Sequence, residues 1–142
     1  MMINSFKNYL KDGKVRRKTP DSEEAKSLLE KSLDRLDYIK GKKITGKSAT
    51  FILEDAYEAI REAAQSLMSM KGFKPYSHEA TVAFIKDFYK SKFSEEDIYK
   101  FDYFRKLRND AVYKAIPVTK GDAELSLFFA EKFVKKVTSI QK

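Results

Sequence analysis

Residues Phe101 to Ala115 read FDYFRKLRNDAVYKA. At ~100° per residue, Ile98, Phe101, Phe104, Ala111, Val112, Ala115 and Ile116 gather on one side of a helix. Arg108 falls in the middle of that group, where a leucine would be expected. A guanidinium stays charged at every physiological pH, and burying it without a partner is costly. Arg108 must therefore meet a carboxylate, lie at a seam between helices, or line a polar cleft. Beside it runs a second ridge, Asp102, Arg105, Asn109 and Tyr113, whose members are close enough in sequence to be surface neighbours. Together the rows place cations, an amide and a phenol in a small area, groups that suit phosphate oxygens and the edges or faces of bases. Arg108 and Tyr113 stand ~140° apart on an ideal helix. They converge on one ligand only if the helix frays or kinks before Pro117, or if a second subunit supplies one of them. The structural alternative makes Arg108 half of a buried ion pair and Tyr113 a boundary residue.

Outward from this stretch the pattern stays helical. Ser94-Glu95-Glu96-Asp97 has the form of a capping box, and Pro117 forbids continuation past Ala115. Thr119 to Gln141 is the last helix, with Leu125, Phe128, Phe129, Phe133, Val137 and Ile140 expected on its core side. Upstream, Ser77 is a natural cap for a fourth helix carrying Val82, Phe84, Ile85, Phe88 and Tyr89. His78, in its first turn, reads first as a capping or packing residue and second as a site candidate. Ser48 to Lys71 is the longest helix, stopped by Gly72 and then Pro75, with Ile52, Ala56, Ala59, Ile60, Ala63, Leu67 and Met70 facing inward. On its shoulder lie Asp55, Ala59, Glu62 and Ser66, which makes Asp55 and Glu62 the expected partners of Arg108, while Glu54, Glu58 and Arg61 point outward.

Nearer the amino terminus, Thr19-Pro20-Asp21 is expected to start a helix, with Thr19 as cap and a stripe of Leu28, Leu29, Leu33, Leu36 and Ile39 running to Gly41. Ile3, Phe6, Tyr9 and Leu10 fit a short amphipathic helix over Met2 to Leu10, ended by Asp12-Gly13. Two basic segments are candidates for phosphate contacts: the arm with Lys14, Arg16, Arg17 and Lys18, and the Lys40–Lys47 loop with Lys42 and Lys43. A solvated linker is the plainer reading of the arm, since no aromatic interleaves with it. No strand alternation persists. The expected fold is all-α, an up-and-down antiparallel bundle of four to five core helices plus a short N-terminal helix. One domain covers residues 1–142, with 1–19 as the N-terminal helix and arm and 20–142 as the bundle.

The 142 residues are 42% hydrophobic and 35% charged, a globular balance with enough chain for a real core. A net charge of +8 favours a polyanionic partner, although excess lysine also serves solubility. With one histidine and no cysteine, neither a disulfide nor a usual zinc site is expected, and no cofactor is implied. No apolar run approaches a membrane span or a signal core, so a cytoplasmic, soluble protein is the expectation.

Several segments, taken in order, resemble the HEPN superfamily of small helical-bundle proteins. The Thr19-Pro20-Asp21 start followed by Ala25-Lys26-Ser27-Leu28-Leu29 is similar to its first core helix, and Glu54 to Ala63 to its second. Lys71 to Ala80 resembles the inter-helix segment, Leu107-Arg108-Asn109 with Tyr113 the signature, and Ala130-Glu131-Lys132-Phe133 the final helix. The resemblance implies a bundle that dimerises so that two signature regions face a shared cleft. Many members are metal-independent ribonucleases bearing arginine, four to six residues, then histidine, and some are toxins paired with a nucleotidyltransferase antitoxin. Here Arg108 matches the arginine and Asn109 the polar residue after it. Tyr113 stands where the histidine would, and Ala115 where some toxins carry a modifiable tyrosine. Histidine exchanges protons near neutrality, whereas a phenol, with a pKa of roughly 10, does so poorly. A branch of the superfamily carries arginine then tyrosine at this spacing, and its members are generally regarded as non-catalytic or uncharacterised. Binding of RNA or a nucleotide without cleavage is therefore the first reading, by a homodimer that could partner a nucleotidyltransferase. The alternative is a metal-independent endoribonuclease of a toxin–antitoxin pair, with Arg108 and Tyr113 as its catalytic residues. A purely protein-binding module is the third.

Overall fold

A computed structural model describes residues 3–141. Its elements in order are α1 (Phe6–Lys11), β1 (Val15–Arg17), α2 (Ser22–Lys40), α3 (Ala49–Lys71), β2 (Phe73–Pro75), α4 (His78–Phe88), α5 (Glu95–Lys114) and α6 (Lys120–Gln141). The expected all-helical bundle is present, supplemented by two three-residue strands. Among the described residues no helix is long and apolar enough to cross a membrane.

Helix α3 is the axis of the bundle. Ile52, Leu53, Ala56, Tyr57, Ala59, Ile60, Ala63, Ala64, Leu67 and Met68 are all buried, and they occupy nearly its whole circumference. A helix that is apolar all round belongs inside, and α2, α4, α5 and α6 all pack against this one. Its alanines let neighbouring backbones approach closely. Asp21 N donates to the Ser69 carbonyl and Ser32 Oγ to the Ala59 carbonyl, so α2 and α3 run antiparallel.

The helix ends follow local chemistry. Ser77 and Ser94 accept hydrogen bonds from Ala80 N and Asp97 N, and the Ser94–Asp97 capping box is complete. The cap of α2 is Asp21 rather than Thr19: the Asp21 carboxylate accepts from Glu24 N at 2.9 Å. Thr19-Pro20 instead continues the extended segment after β1. The expected start of the first helix at Met2 lies outside the described residues, and α1 begins at Phe6, capped by Ser5.

The basic arm is corrected by the structure. Val15–Arg17 pairs antiparallel with Phe73–Pro75, with Val15 opposite Pro75 and Arg17 opposite Phe73. Val15 is buried between exposed basic residues, and three residues are too few for an alternation to register in sequence. Gly72, at φ 84°, ends α3 and starts this pairing; a Cβ there would lie 2.6 Å from the Lys18 carbonyl oxygen. Phe6 packs edge-on against Phe73, Phe84 and Phe88, so the N-terminal segment belongs to the same core.

Several large apolar residues expected inside are exposed: Leu33, Met70, Phe88, Leu125, Phe128, Val112 and Ile116. The seams are cut by smaller residues instead. On α2 the buried row is Ala25, Leu29, Ser32, Leu36 and Ile39, and on α6 it includes Ala123, Ser126, Ala130, Phe133 and Val137. Close helix approach selects for small side chains and turns Leu33, Leu125 and Phe128 off the seam.

Within this core Glu62 is 1% exposed. Arg35 of α2 meets it in a two-pronged contact, Nε to Oε1 at 3.0 Å and Nη2 to Oε2 at 3.1 Å, and its Nη1 donates to Asp55 Oδ1 at 2.9 Å. The Glu62 hydrogen bonds lead in raising the guanidinium pKa above its ordinary value, against desolvation. Arg35→Ala leaves the buried Glu62 with only the exposed Lys31, whose Nζ lies 3.6 Å from Oε2. It should cost about 3 kcal/mol in urea unfolding, and Glu62→Gln in the same chain should restore part of the loss. An unchanged midpoint for Arg35→Ala would remove the pair from any structural role.

Candidate functional site

The first half of α5 is anchored by its capping box and by Ile98, Phe101 and Phe104, which are buried; Phe101 packs on Phe133 of α6 and Phe104 on Phe129. After Ala111 the buried face runs out: Val112, Tyr113 and Ile116 are exposed, and Ala115 closes the helix at φ 54°. Arg108 sits one turn before that emergence and is half-buried. A guanidinium on the apolar side is tolerated there because its head reaches the rim.

Arg108 Nη1 donates to Asn109 Oδ1 at 3.2 Å, and its Cζ lies 5.7 Å from the centre of the Tyr113 ring. That is within cation–π range. The helix is continuous from Glu95 to Lys114, so neither a kink nor a second subunit is needed to bring these side chains together. Their length spans the angular gap.

The expected partners of Arg108 are engaged elsewhere. Asp55 and Glu62 are both bound by Arg35, because their face of α3 packs on α2. Asp102, 3% exposed, takes Arg105 Nε at 2.7 Å and Lys106 Nζ at 3.2 Å, and Arg105 also lies 3.9 Å from Glu79. Arg105 is thus largely neutralised, and it braces α5 against the start of α4.

Glu58 and Arg61, expected on the outer side of α3, are half-buried beside the site. Arg61 donates to Glu58 Oε2 at 2.9 Å and to Gln65 Oε1 at 2.7 Å. Burial alone would raise the Glu58 pKa; the Arg61 hydrogen bonds and charge, helped by the charge of Arg108, outweigh it and hold the carboxyl below its usual range. Arg108 is therefore near enough to act electrostatically on this group and on His78.

His78 connects the two helices to α4. Its Nδ1 lies 3.0 Å from the hydroxyl of Tyr57, and the rings stack at 5.6 Å. Tyr57 is fully buried, and burial pushes its phenol pKa up, so it remains a proton donor. No other acceptor for that O–H is recorded among the described residues. A buried hydroxyl left unpaired costs about 1–3 kcal/mol. The hydroxyl therefore donates to Nδ1, which fixes the neutral imidazole with its proton on Nε2. Desolvation, then the charges of Arg61 and Arg108, lower the His78 pKa, and Glu58 offsets them only in part.

The basic segments reach different surroundings. Arg16 stacks on Tyr76 at 5.4 Å and Arg17 on Phe73 at 5.4 Å, so β1 carries its cations toward the start of α4. Lys14 is exposed, whereas Lys18 is tied to Glu24 at 2.8 Å. Lys42 lies over Tyr38 at the end of α2, and Lys43 is exposed in the following loop.

Sequence reading missed Tyr57, Glu58, Arg61 and Gln65 as site neighbours and Arg35 as the core cation. One signal was present. Only six of the 29 basic residues are arginine, and Arg35, Arg61, Arg105 and Arg108 all lie on bundle helices where a planar fork is used.

The HEPN domain model matches residues 25–140, from the first turn of α2 to the end of α6. No curated protein and no solved structure matches the chain. The chain belongs to the HEPN domain family.

Being the only histidine, His78 gives an unambiguous imidazole signal in NMR. It should titrate below the usual value of roughly 6.5, with nitrogen shifts of the Nε2–H form. A folded-state pKa below the unfolded one means the unfolded chain binds the proton first. Stability should thus fall as pH drops from roughly 6.5 through the folded value, and His78→Gln should remove that component. A normal titration with mixed tautomers would refute the Tyr57 assignment.

Proposed function

We propose that this HEPN-family module binds single-stranded RNA or a nucleotide through Arg108, Asn109 and Tyr113, and that it does so without cleavage. One observation supports the reading above others. Arg35, Arg61 and Arg105 each have carboxylate partners, whereas Arg108 has none among the described residues. A half-exposed guanidinium held by an amide and a ring keeps N–H donors for phosphate oxygens. The Tyr113 ring, 74% exposed, offers a face on which a base can stack. Arg16, Arg17, Lys14, Lys42 and Lys43 add the long-range attraction that makes such binding salt-dependent.

Strand cleavage needs a group that accepts a proton from the ribose hydroxyl. Tyr113 stands at the signature position. His78, although electrostatically close, has Nδ1 engaged by Tyr57 and its proton on Nε2, which leaves no free lone pair. Both features favour binding over catalysis.

The experiment is fluorescence anisotropy with a pooled single-stranded RNA at several salt concentrations. Wild-type affinity should fall linearly with salt on logarithmic axes, Arg108→Ala should weaken it about tenfold, and Tyr113→Ala about fivefold or more. Full binding by a folded Arg108→Ala protein would displace the site. RNA cut by the wild type and left whole by Arg108→Ala would establish the ribonuclease alternative.

We further infer that the module works as a homodimer joined near this site. Val112 and Ile116, on the turn that follows Arg108, expose apolar surface beside the site and leave the Tyr113 ring to the ligand. Sedimentation should give a dimer that Val112→Asp with Ile116→Asp converts to a folded monomer. A wild-type monomer at high concentration would sink this, and co-purification with a nucleotidyltransferase would assign the surface to a different partner.

A further inference from the structure

A hollow of about 270 Å³ opens where α4 begins, beyond the signature residues, and is lined by Arg61, Gln65, Tyr76, Ser77 and His78 among others. Its polar groups are unusually one-sided. Gln65 Oε1 is occupied by Arg61, which leaves its amide N–H groups as donors. Tyr57 fills Nδ1 of His78 and leaves Nε2–H as a donor. Ser77 Oγ accepts from Ala80 N, so its own O–H is free to donate. Glu58, the carboxylate paired with the lining residue Arg61, is spent on that contact.

The surroundings carry the same sign. Arg61 forms part of the wall, and Arg105 and Arg108 on α5 both act on His78. At the outer lip Tyr76 is exposed and carries Arg16 at 5.4 Å and Lys74 at 5.6 Å over its ring. The first turn of α4 adds the positive end of a helix dipole. A concave site rich in donors and lined by no carboxylate favours a ligand group made of acceptors and carrying negative charge.

We propose that this hollow is a second subsite, which takes a further phosphoryl group of the strand held by Arg108, with His78 Nε2–H and the Gln65 amide as its hydrogen-bond donors. The inference rests on Arg108 binding a nucleic-acid phosphate, and it extends the site from α5 onto α3 and α4. In this arrangement His78 acts as a neutral donor. Burial and the neighbouring arginine charges favour that neutral form, and Tyr57 is a positioning residue that sets which nitrogen faces the ligand.

The test uses the uridine dinucleotides UpU and pUpU, which differ by one 5′-phosphate, and uridine diphosphate, whose two phosphates are contiguous. Calorimetry on the full chain should show pUpU binding about tenfold tighter than UpU, with uridine diphosphate lacking that advantage. Gln65→Leu and His78→Phe should bring the pUpU-to-UpU ratio close to one. Arg108→Ala should weaken both dinucleotides and preserve the ratio. In the folded wild type, pUpU and not UpU should shift the His78 Nε2 resonance, a readout that needs no variant. Equal affinities for the two dinucleotides with an unmoved His78 signal would overturn the subsite while leaving Arg108 in place. An equal gain with uridine diphosphate would overturn the strand form of the proposal, and failure of both dinucleotides to bind would overturn both readings.

Discussion

A carboxylate in the middle of the central helix sets the conditions for everything around it. Glu62 lies where α3 is apolar on nearly every side, and it persists there because Arg35 meets both of its oxygens. Removing one member leaves an uncompensated charge in a low dielectric, so the pair ties the register of α2 to that of α3. Asp55, taking the third hydrogen bond about two turns earlier on α3, fixes the rotation of α2 as well as its height. With that face of α3 settled, the adjoining shoulder with Glu58, Arg61 and Gln65 is turned toward the start of α4 and the end of α5, where the site forms.

The caps and breaks of the bundle were legible because they depend on a few neighbouring residues. Ser77, Ser94 with Asp97, Gly41, Gly72 and Pro117 all mark boundaries for reasons contained within one turn of chain. The packing seams were harder. Large apolar residues such as Leu125 and Phe128 looked like core, yet the close approach of α6 to α3 is made through Ala123, Ser126 and Ala130, whose small size carries little signal in a hydrophobic count. The ribbon of Val15–Arg17 was missed because its partner lies more than fifty residues away and its only apolar contact is a single valine.

The site was legible in part. Arg108, Asn109 and Tyr113 do come together, and they do so by the reach of side chains that helical angles ignore. Pairing Arg108 with Asp55 and Glu62 failed because a helical wheel orders residues around one axis without saying which neighbour occupies each side. The same ambiguity put Glu58 and Arg61 outside. Residue type held part of the missing information: four of the six arginines lie on bundle helices, where Arg35 joins α2 to α3 and Arg105 reaches from α5 to α4.

The short ribbon also joins two regions that the family match separates. Residues 3–18 precede the matched span of 25–140, yet Lys14 accepts from Tyr76 N at 2.8 Å and Phe6 sits against Phe84 and Phe88 of α4. The wall of the hollow is thus partly braced by chain that the family model does not cover. Any coupling through α4 between docking of the N-terminal segment and a ligand in the hollow is reciprocal, by the same factor in both directions. A shared bundle can in this way acquire its own ligand preference from an appendage that never touches the signature residues.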